Sequence, residues 1–559
     1  MTYPTLRDFI NALEQHGELH RVTAPVSPML EITEITDRVS KSDATPAPGS
    51  SSAAKNDPHH YRAGGKALLF ENVTGCNGVP VAINTFGSYR RMEMALGCDS
   101  TSGGEGGFDA LAGKIEKLLK PEPPTGLIDK MKKGLELAKI ASLAPKVVKS
   151  GLCQQVVLTG DQINLLDWPI IKCWPDDGNP RKFGYPVDLQ KPGDGRYITF
   201  GGVYTISPED ANKPEGEPRL SRNVGMYRLQ VLDRNHTAMH WHLHHDGARH
   251  WRAWKNTGKP MPCAVALGGE SVLPYAATAP LPPGVSELLF AGFLNDGAIE
   301  LVRCKTIDMH VPANAEIVIE GYVSTEADGP GLAQSEIRNP KSEIGNGAVL
   351  EGPFGDHTGF YSLPDRYPIF TVTAITHRQE PIYPTTIVGL PPQEDYYLGK
   401  ATERVFLPLL RTLVPDIIDY DLPMFGCFHN CAFVKIRKEY PLQARRVMHA
   451  IWGAGQMSWT KMIVVVDEDV NVHDHEDVLF HLCANCDPGR DVEVVNGPLD
   501  ILDHAAPRWG AGHKMGFDAT KKIAGEEVNG HAVRDYPTRL AMSEDVKKRV
   551  TQRWKELGL

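Results

Sequence analysis

The sequence has no long uninterrupted run of apolar residues. A membrane-spanning helix needs about 20 of them, whereas the longest strand-like apolar run, 462–466, is followed directly by Asp467. The N-terminal segment carries charge from Arg7 onward and lacks the apolar stretch of a secretory signal. We therefore expect no membrane span and no secretion.

Cysteine is scarce as well, and acidic residues outnumber basic ones. Ten cysteines among 559 residues are too few for a disulfide-built domain, so we expect free thiols and a cytoplasmic protein. Cys483 and Cys486 form a CxxC motif without a second pair, and a closed zinc site needs four ligands. The net charge of -10 also argues against a general nucleic-acid-binding protein.

The N-terminal part shows helical periodicity. Leu6, Ile10 and Leu13 recur at helical spacing, and a basic amphipathic helix is predicted over 127–143. The segment 41–60, rich in Ser, Ala and Pro, is typical of a surface loop.

The pattern then changes twice. Strand signals dominate from residue 156 to about residue 319, which favours a barrel or sandwich. After Gly352 strands and helices alternate, as they do in α/β layers. A charged helix is predicted over 543–559.

Two carboxylates, Glu351 and Asp356, flank a turn in the segment EGPFGDHTGF. Gly352, Pro353 and Gly355 favour a bent loop that can direct both acids at one point. Carboxylates that share a site separate their pKa values, so that one can hold a proton while the other is charged. A general acid needs such a proton at neutral pH. The segment is also compatible with a capped turn and two solvated acids.

Arg228 is the candidate partner of these acids. Its guanidinium can clamp a carboxylate with two hydrogen bonds or keep a neighbouring acid ionised. Asn223 offers an amide oxygen that suits a hard cation, but on a regular strand the two side chains would face opposite sides. We expect a bulge or bend at Gly225 that reorients them; otherwise they contact different parts of an extended ligand.

Six histidines, at positions 236, 240, 242, 244, 245 and 250, lie close together in the sequence. His240, His242 and His244 alternate, so on a strand they share one face. A zinc hydrolase uses such histidines with one open coordination position, whereas a flavin enzyme uses them to line a pocket or hold an anionic group. A polar strand with solvated imidazoles is the third possibility.

An ordered set of segments resembles the UbiD family of non-oxidative decarboxylases, which use prenylated FMN. From Arg62 to Thr520, in the order of the family, the segments are RAGGKALLFENV, CWPDD, NVGMYRLQV, GVSELLFAG, EGPFGDHTGFY, ERVFLPLL and HKMGFDAT. No one of them suffices, but the ordered set is highly specific. The resemblance implies a mixed α/β (α+β) fold, with a flavin-reductase-like split β-barrel for the cofactor and a C-terminal α/β oligomerisation domain.

We accordingly expect three domains. An N-terminal α/β domain with its linker helix spans 1–149, the split barrel that binds prenylated FMN spans 150–345, and the oligomerisation domain with its tail helix spans 346–559. Family members assemble through the C-terminal part, so the resemblance implies a homodimer or homohexamer.

The family's cofactor site has two parts when it is carried over to this sequence. A divalent cation, usually Mn²⁺, with K⁺ beside it, anchors the flavin phosphate. The matching ligands are Asn223, Glu287 and His245, and His244 is nearly as good a match as His245. The cation would neutralise the phosphate and fasten the cofactor to an acidic protein. The predicted cofactor contacts are Asn223, Met226, Tyr227, Arg228, His240, Trp241, His242 and His245.

The family's Glu–Arg–acid constellation becomes Glu351, Arg228 and Asp356 in this chain. Loss of CO₂ leaves an unstable carbanion, whose electrons the cofactor accepts. The resemblance implies that Asp356 then protonates the carbon, while Glu351 and Arg228 maintain its protonation state and orient the cofactor. Some members carry Glu in place of Asp356, and Asp is one methylene shorter. A flavin prenyltransferase supplies the cofactor.

The resemblance implies a reversible decarboxylase of an aromatic or α,β-unsaturated carboxylic acid, but it does not identify which acid is the substrate. The long segments 41–60 and 176–220 either recognise a larger substrate or are surface insertions. Other candidates are an aromatic acyl-CoA such as phthaloyl-CoA and a 4-hydroxy-3-polyprenylbenzoate, although no segment predicts an apolar channel for a polyprenyl tail. A zinc hydrolase and a non-enzymatic flavin-binding subunit are the competing functions, and the site would carboxylate when CO₂ is abundant.

Overall fold

The computed structural model describes residues 2–558 except for residues 50, 99–105, 120–140, 186–192, 215–216, 218, 220, 243–244, 283–284, 327–346, 429, 524–525 and 529. His244 and most of the helix predicted over 127–143 lie outside the described residues. Helices and strands are both abundant, and the largest sheet curls into a half-barrel, which confirms the mixed α/β class.

The N-terminal part is a small sheet flanked by helices. Its strands, in spatial order, are Leu19–Val22, Ala67–Phe70, Val81–Ile83 and Tyr383–Pro384. Its helices are Leu6–Gln15, Glu31–Ser40, Ala53–Asn56, Tyr89–Ala95 and Phe108–Leu119. Thr5 caps the first helix by accepting from the Asp8 N–H at 3.1 Å. Leu6, Ile10 and Leu13 are buried on one face of this helix, as their spacing predicts.

A ten-stranded antiparallel sheet forms the centre of the molecule. Its main path runs, in spatial order, through Tyr197–Ile198, Arg228–Val231, His236–His240, Asp365–His377, Ile317–Val323, Met261–Leu267, Gly202–Thr205 and Asn223–Met226. Two more strands, Ala348–Glu351 and Val156–Thr159, pair with Asp365–His377, which has 13 residues and is long enough for several partners. The sheet therefore continues past residue 345, after which we expected a domain boundary.

The strand Met261–Leu267 shows how this sheet is covered on both faces. All seven residues are buried. Ala264 and Ala266 pack into a core that includes the N-terminal helices, whereas Cys263 and Val265 pack into a second core. Successive side chains of a strand point to opposite faces, so a doubly covered strand is apolar throughout.

A five-stranded mixed sheet forms the C-terminal part. Its strands, in spatial order, are Ile417–Asp421, Cys431–Ile436, Met462–Val466, Ala511–Asp518 and Val492–Pro498. The middle three are parallel, and the outer two are antiparallel to their neighbours. The associated helices are Glu394–Val405, Leu407–Leu413, Gln443–Trp452 and His475–Asn485. Strands and helices thus alternate here, as the sequence pattern predicts.

Smaller elements complete the fold. A three-stranded sheet contains His310–Pro312, Glu300–Arg303 and Lys146–Val148, and a short ribbon contains Glu527–Val528 and His531–Ala532. The remaining α-helices are Pro208–Ala211, Asp246–Thr257, Leu273–Ala276, Glu287–Asn295 and Glu544–Arg553. The 3-10 helices are Leu152–Gln154, Gly160–Gln162, Leu165–Asp167, Pro180–Phe183, Met424–Gly426 and Gly455–Trp459. All ten cysteines are free. Within the described ranges, no helix has the length and apolar character that crossing a bilayer requires.

Candidate active site

Arg228, Glu351 and Asp356 meet at one buried point. Nε and Nη2 of Arg228 donate to the Glu351 carboxylate at 2.9 and 3.3 Å, and Nη1 donates to Asp356. Nη2 also donates to the Ser362 hydroxyl at 3.0 Å, and the guanidinium carbon lies 4.5 Å from the ring centroid of Phe354. The structure therefore brings the three predicted catalytic residues together, with Arg228 between the two acids.

Two glycines shape the loop between the acids. Glu351 ends its strand, and Gly352 follows with φ of 90°, a left-handed conformation that favours glycine. A Cβ on Gly355 would lie 2.1 Å from a ring carbon of Trp174, so a larger residue would displace that ring. The chain can therefore turn closely enough for Asp356 to reach the guanidinium that Glu351 already contacts.

The chain changes direction at Tyr227, just before Arg228. Asn223–Met226 and Arg228–Val231 are separate strands that pair with different neighbours. We expected this reorientation at Gly225, but the strand continues through that residue. Gly225 instead leaves room for an aromatic ring, because a Cβ there would lie 2.4 Å from the ring of Tyr227.

Glu351 and Asp356 are both ionised in this arrangement. Burial opposes the charge on Glu351, but Arg228 and then His240 outweigh it and lower the pKa to about 2. Burial also opposes the charge on Asp356, but a hydrogen bond with His357 and the charge of Arg228 hold its pKa below the usual range. We expected one neutral acid. Because the guanidinium lies between the two carboxylates, neither retains a proton.

His357 holds the proton beside Asp356. Its Nδ1 lies 3.1 Å from Oδ1 of Asp356, and its backbone N–H donates to the same oxygen at 2.8 Å. Burial opposes the charge on His357, but Asp356, with smaller effects of Asp500 and Asp395, raises the pKa to about 9. The sequence reasoning missed this residue, although its place directly after the predicted proton donor was a usable signal.

Asp395 is a second residue that the sequence reasoning missed. It follows Glu394 at the start of a helix and faces the same cavity as His357. Burial raises its pKa to about 7, against the effect of His357. The fold brings Asp395 to the site from a separate segment, so no spacing in the sequence points to it. Its carboxyl is suited to gain and lose a proton near neutral pH.

The histidine cluster is shorter and more irregular than predicted. The strand ends at His240, whose Nδ1 lies 2.9 Å from Oε2 of Glu351 and whose pKa burial lowers. His242 lies beyond the strand, with its Nε2 3.1 Å from Nε2 of His240. The backbone N–H of His242 donates to Nδ1 of His245 at 3.1 Å. These contacts occupy several ring nitrogens, which weighs against a zinc centre of the hydrolase type.

The predicted metal ligands are connected through Val224 and Tyr227. Glu287 accepts from the Val224 N–H at 3.1 Å, directly beside Asn223 in the chain. The side chain of Asn223 lies close to the Tyr227 hydroxyl, and the Tyr227 ring stacks on His245 with centroids 5.2 Å apart. Carboxylate, amide and imidazole donors suit a hard divalent cation. Burial raises the pKa of Glu287 to about 7, and a cation beside it would keep it ionised. These residues therefore fit the implied ion.

A cavity of about 540 Å³ opens beside the triad. Predicted cofactor residues on its lining are Met226, Tyr227, Arg228, His240, His242 and His245. Six apolar side chains of the lining form what we call the apolar wall: Leu398, Phe406, Leu409, Leu410, Leu413 and Phe428. Trp241 is fully buried and lies behind Tyr227, with ring centroids 6.1 Å apart, so it supports the lining from behind. A cavity with one charged end and one apolar wall fits a flavin ring and a flat acid.

Three family models match consecutive parts of the chain. They describe the domains of a 3-octaprenyl-4-hydroxybenzoate carboxy-lyase. The N-terminal domain matches residues 10–49 and 58–110, the Rift-related domain matches 146–391, and the C-terminal domain matches 396–519. The matches thus include the small N-terminal sheet, the central sheet with the triad, and the C-terminal sheet.

Full-length relatives and solved structures agree with these matches. Uncharacterised proteins of Aquifex aeolicus and Archaeoglobus fulgidus are 46% and 42% identical, each over 100% of this chain and 99% of the relative. The closed form of Sedimentibacter hydroxybenzoicus vanillic acid decarboxylase gives a TM-score of 0.74 at 25% identity, over 100% of this chain and 99% of that chain. The UbiD-class enzyme HmfF from Pelotomaculum thermopropionicum, in complex with prFMN, gives 0.66 at 25% identity, over 94% and 97%. Because the family's three domains follow one another here in full, the chain belongs to the UbiD family of carboxy-lyases.

Proposed function

We propose that this enzyme is a reversible, non-oxidative decarboxylase of an aromatic or α,β-unsaturated carboxylic acid, dependent on prenylated FMN and a divalent cation. The observation that carries the proposal is Arg228, bonded to both Glu351 and Asp356 at the edge of the cavity. The fixed guanidinium gives the cavity one charged end, while the apolar wall accommodates a ring. The relative HmfF is described as a complex with prFMN, which supports the choice of cofactor.

The cofactor would occupy the histidine-lined side of the cavity. Asn223, Glu287 and His245 would hold the cation, for which Mn²⁺ is the first candidate with K⁺ beside it, and His244 is the alternative to His245. The bound cofactor supplies an electrophilic centre that accepts the electron pair of the breaking C–C bond. A flavin prenyltransferase would supply the cofactor. Flavin contacts would come from Met226, Tyr227, Arg228, His240 and His242.

Asp356 would deliver the proton to the carbon that loses CO₂, and His357 would supply that proton. Transfer along the 3.1 Å contact between Nδ1 of His357 and Oδ1 of Asp356 gives two neutral groups. A neutral carboxyl is the form that can protonate carbon. Asp395 faces the same cavity and would return a proton to His357 after turnover. Arg228 keeps its charge throughout and holds the Asp356 side chain in place.

The apolar wall bears on the choice of substrate. It includes the buried Leu398 and also Leu413, which is 60% exposed at the surface. This favours an acid with an apolar ring or substituent. It makes a 4-hydroxy-3-polyprenylbenzoate the second candidate, although the sequence predicts no such channel. An aromatic acyl-CoA such as phthaloyl-CoA would bring charged phosphates toward the wall and is therefore less favoured.

We further propose a homodimer or homohexamer that forms through the C-terminal part. Apolar side chains near the tail are solvent-exposed: Leu540, Met542, Val550, Trp554 and Leu557. A subunit contact would cover them. Of the predicted division 1–149, 150–345 and 346–559, we propose to keep the first boundary. We place the second boundary between residues 391 and 396, between two matched family regions, instead of between 345 and 346.

Co-expression with a flavin prenyltransferase tests the proposed function. The measurements are the visible spectrum, the intact mass of the bound cofactor, and CO₂ release from aryl acids, acrylic acids, a polyprenylated hydroxybenzoate and aromatic CoA esters. We expect bound prenylated flavin and release from at least one free acid. Tightly bound zinc without any flavin would overturn the proposal in favour of a hydrolase.

A further inference from the structure

The central sheet holds the first half of the turn that follows Glu351. The Gly352 N–H donates to Oε1 of Gln230 at 2.8 Å. The Tyr197 hydroxyl lies 3.2 Å from the carbonyl oxygen of Pro353, and the strands that carry Tyr197 and Gln230 pair with each other. The two side chains therefore fix the end of the turn that is nearer to Glu351.

A different segment holds the second half of the turn. Oδ1 of Asp177 accepts from the Gly355 N–H at 2.8 Å, one residue before Asp356. Asp177 is only 1% exposed, so this hydrogen bond lies away from water, where it is stronger. The Trp174 ring also packs on Gly355, since a Cβ there would lie 2.1 Å from it. Gly355 is thus held by two side chains of one short segment.

Asp177 is itself fixed in position. Its Oδ2 accepts from the Trp174 N–H at 2.8 Å, and its own N–H donates to the Trp174 carbonyl oxygen at 3.1 Å. The indole N–H of Trp174 donates to the carbonyl oxygen of Val388 at 2.9 Å. The N–H of the next residue, Gly178, donates to the Pro353 carbonyl oxygen at 2.8 Å. A side chain that is supported in this way can hold a neighbouring group to within about 0.5 Å, as a catalytic geometry requires.

Two backbone N–H groups share the carboxylate of Asp177. Burial raises its pKa to about 7, against the Gly355 and Trp174 N–H groups and the charge of Arg228. Hydrogen bonds to an ionised carboxylate are shorter and stronger than those to a neutral oxygen. An amide has only one acceptor oxygen. Asn in this position would therefore leave one of the two buried N–H groups without an acceptor.

We propose that Asp177 is a positioning residue for proton transfer, which acts through the Gly355 N–H to place the Asp356 carboxyl. The Asp356 side chain bonds to Arg228. Because this side chain is short, the position of its backbone decides where its carboxyl reaches. The role rests on the proposed function, in which Asp356 delivers the proton. It gives the segment CWPDD, residues 173–177, a function in the site.

Asp177→Asn tests this role, with Asp176→Asn as the matched control. Asp176 undergoes the same chemical change, but its carboxylate is partly exposed and lies 3.6 Å from the Lys182 ammonium. We expect Asp177→Asn to lower kcat per bound prenylated flavin by about tenfold, with KM and flavin content little changed. Asp176→Asn should keep the wild-type kcat. A residue needed only for stability would leave kcat per bound flavin unchanged, so an unchanged value in Asp177→Asn would overturn the role.

A double-mutant cycle with Asp356→Asn separates positioning from an independent effect. If Asp177 acts through Asp356, its substitution has little left to disturb once the proton donor is gone. We therefore expect Asp177→Asn to lower the residual turnover of Asp356→Asn by less than about twofold. A further loss of about tenfold in this background would show that the two residues act independently, and it would overturn the positioning role.

Hydrogen exchange of the full chain without cofactor gives a second readout that needs no turnover. The Gly355 N–H is bonded to a buried carboxylate in the wild type, so residues 351–362 should exchange slowly. Asp177→Asn should speed exchange in this segment by about tenfold or more, while the C-terminal sheet keeps its wild-type rate. Asp177→Asn conserves the side-chain volume, so we expect it to fold, and circular dichroism checks this.

Exchange of residues 351–362 at the wild-type rate in Asp177→Asn would overturn the role. Rapid exchange of this segment in the folded wild type would overturn it as well, whether or not the variant folds. If the loaded wild type releases CO₂ from no acid while exchange changes as expected, the proposed function fails, but Asp177 still holds the turn. The two failures are thereby distinguished.

Discussion

Replacing His357 by asparagine tests proton supply to Asp356. Burial opposes the charge on His357, yet Asp356 and more distant acids raise its pKa from 6.5 to about 9. The rise from 6.5 to about 9 corresponds to roughly 3 kcal/mol of net stabilisation of the charged imidazole. Coupling between two groups is reciprocal, so we expect the substitution to raise the pKa of Asp356. Asp356 stays ionised at neutral pH because Arg228 remains.

We expect His357→Asn to lower kcat by about 10²-fold at neutral pH and to change KM little. The wild-type kcat should fall as the pH rises through about 9, where His357 loses its proton, and the variant should lack this alkaline decline. CO₂ release per bound flavin is measured across the pH range. His504→Asn is the matched control. The ring of the exposed His504 packs on Phe360, with centroids 4.1 Å apart, and not on Asp356.

Wild-type kcat together with an unchanged alkaline decline in His357→Asn would refute the role given to this histidine. Bound cofactor is quantified by absorbance and mass in every sample. A variant that merely binds less flavin is therefore distinguished from one that transfers protons slowly.

Three more outcomes follow from the same contacts. Arg228→Ala leaves two buried carboxylates without their cation and should lower the free energy of unfolding by about 3–5 kcal/mol, as measured by chemical denaturation. The same variant should have no decarboxylase activity. In the folded protein the pKa of Glu351 is lowered from 4.5 to about 2. The ionised Glu351 should therefore stabilise the fold fully above pH 4.5, and this stabilisation should be lost as the pH falls toward 2. Thermal unfolding measured at a series of pH values detects the loss. Gly225→Ala places a Cβ 2.4 Å from the Tyr227 ring and should cost about 1–3 kcal/mol with weaker flavin retention, whereas Gly113→Ala, with open space around it, should not weaken retention.

The sequence predicted local structure where one periodicity dominated. Leu6, Ile10 and Leu13 form the buried face of a helix, and the alternation after Gly352 agrees with the C-terminal layers. The long strand Asp365–His377 was harder to place. Its partners come from both sides of the expected boundary, and strand pairing across such distances leaves no local pattern.

The sequence predicted the three members of the candidate triad but not their charges, and it missed His357 and Asp395. Arg228 and the two acids stand in motifs that the family resemblance identifies, and the structure joins them. Their protonation depends on the guanidinium lying between the carboxylates, which composition and spacing do not encode. Asp395 reaches the cavity only through the packing of its helix. For the same reason Trp241, inside a histidine motif, lies behind the lining instead of on it.

The most direct measurement compares CO₂ release by cofactor-loaded wild-type enzyme and Asp356→Asn on the same free acid, expressed per bound prenylated flavin. We expect release by the wild type and a loss of about 10²-fold or more in the variant, with the flavin mass unchanged. Equal turnover by both proteins would contradict the assignment of Asp356 as proton donor. The proposed decarboxylase activity would be contradicted if the wild-type enzyme contained prenylated flavin and released CO₂ from none of the acids in the panel described above.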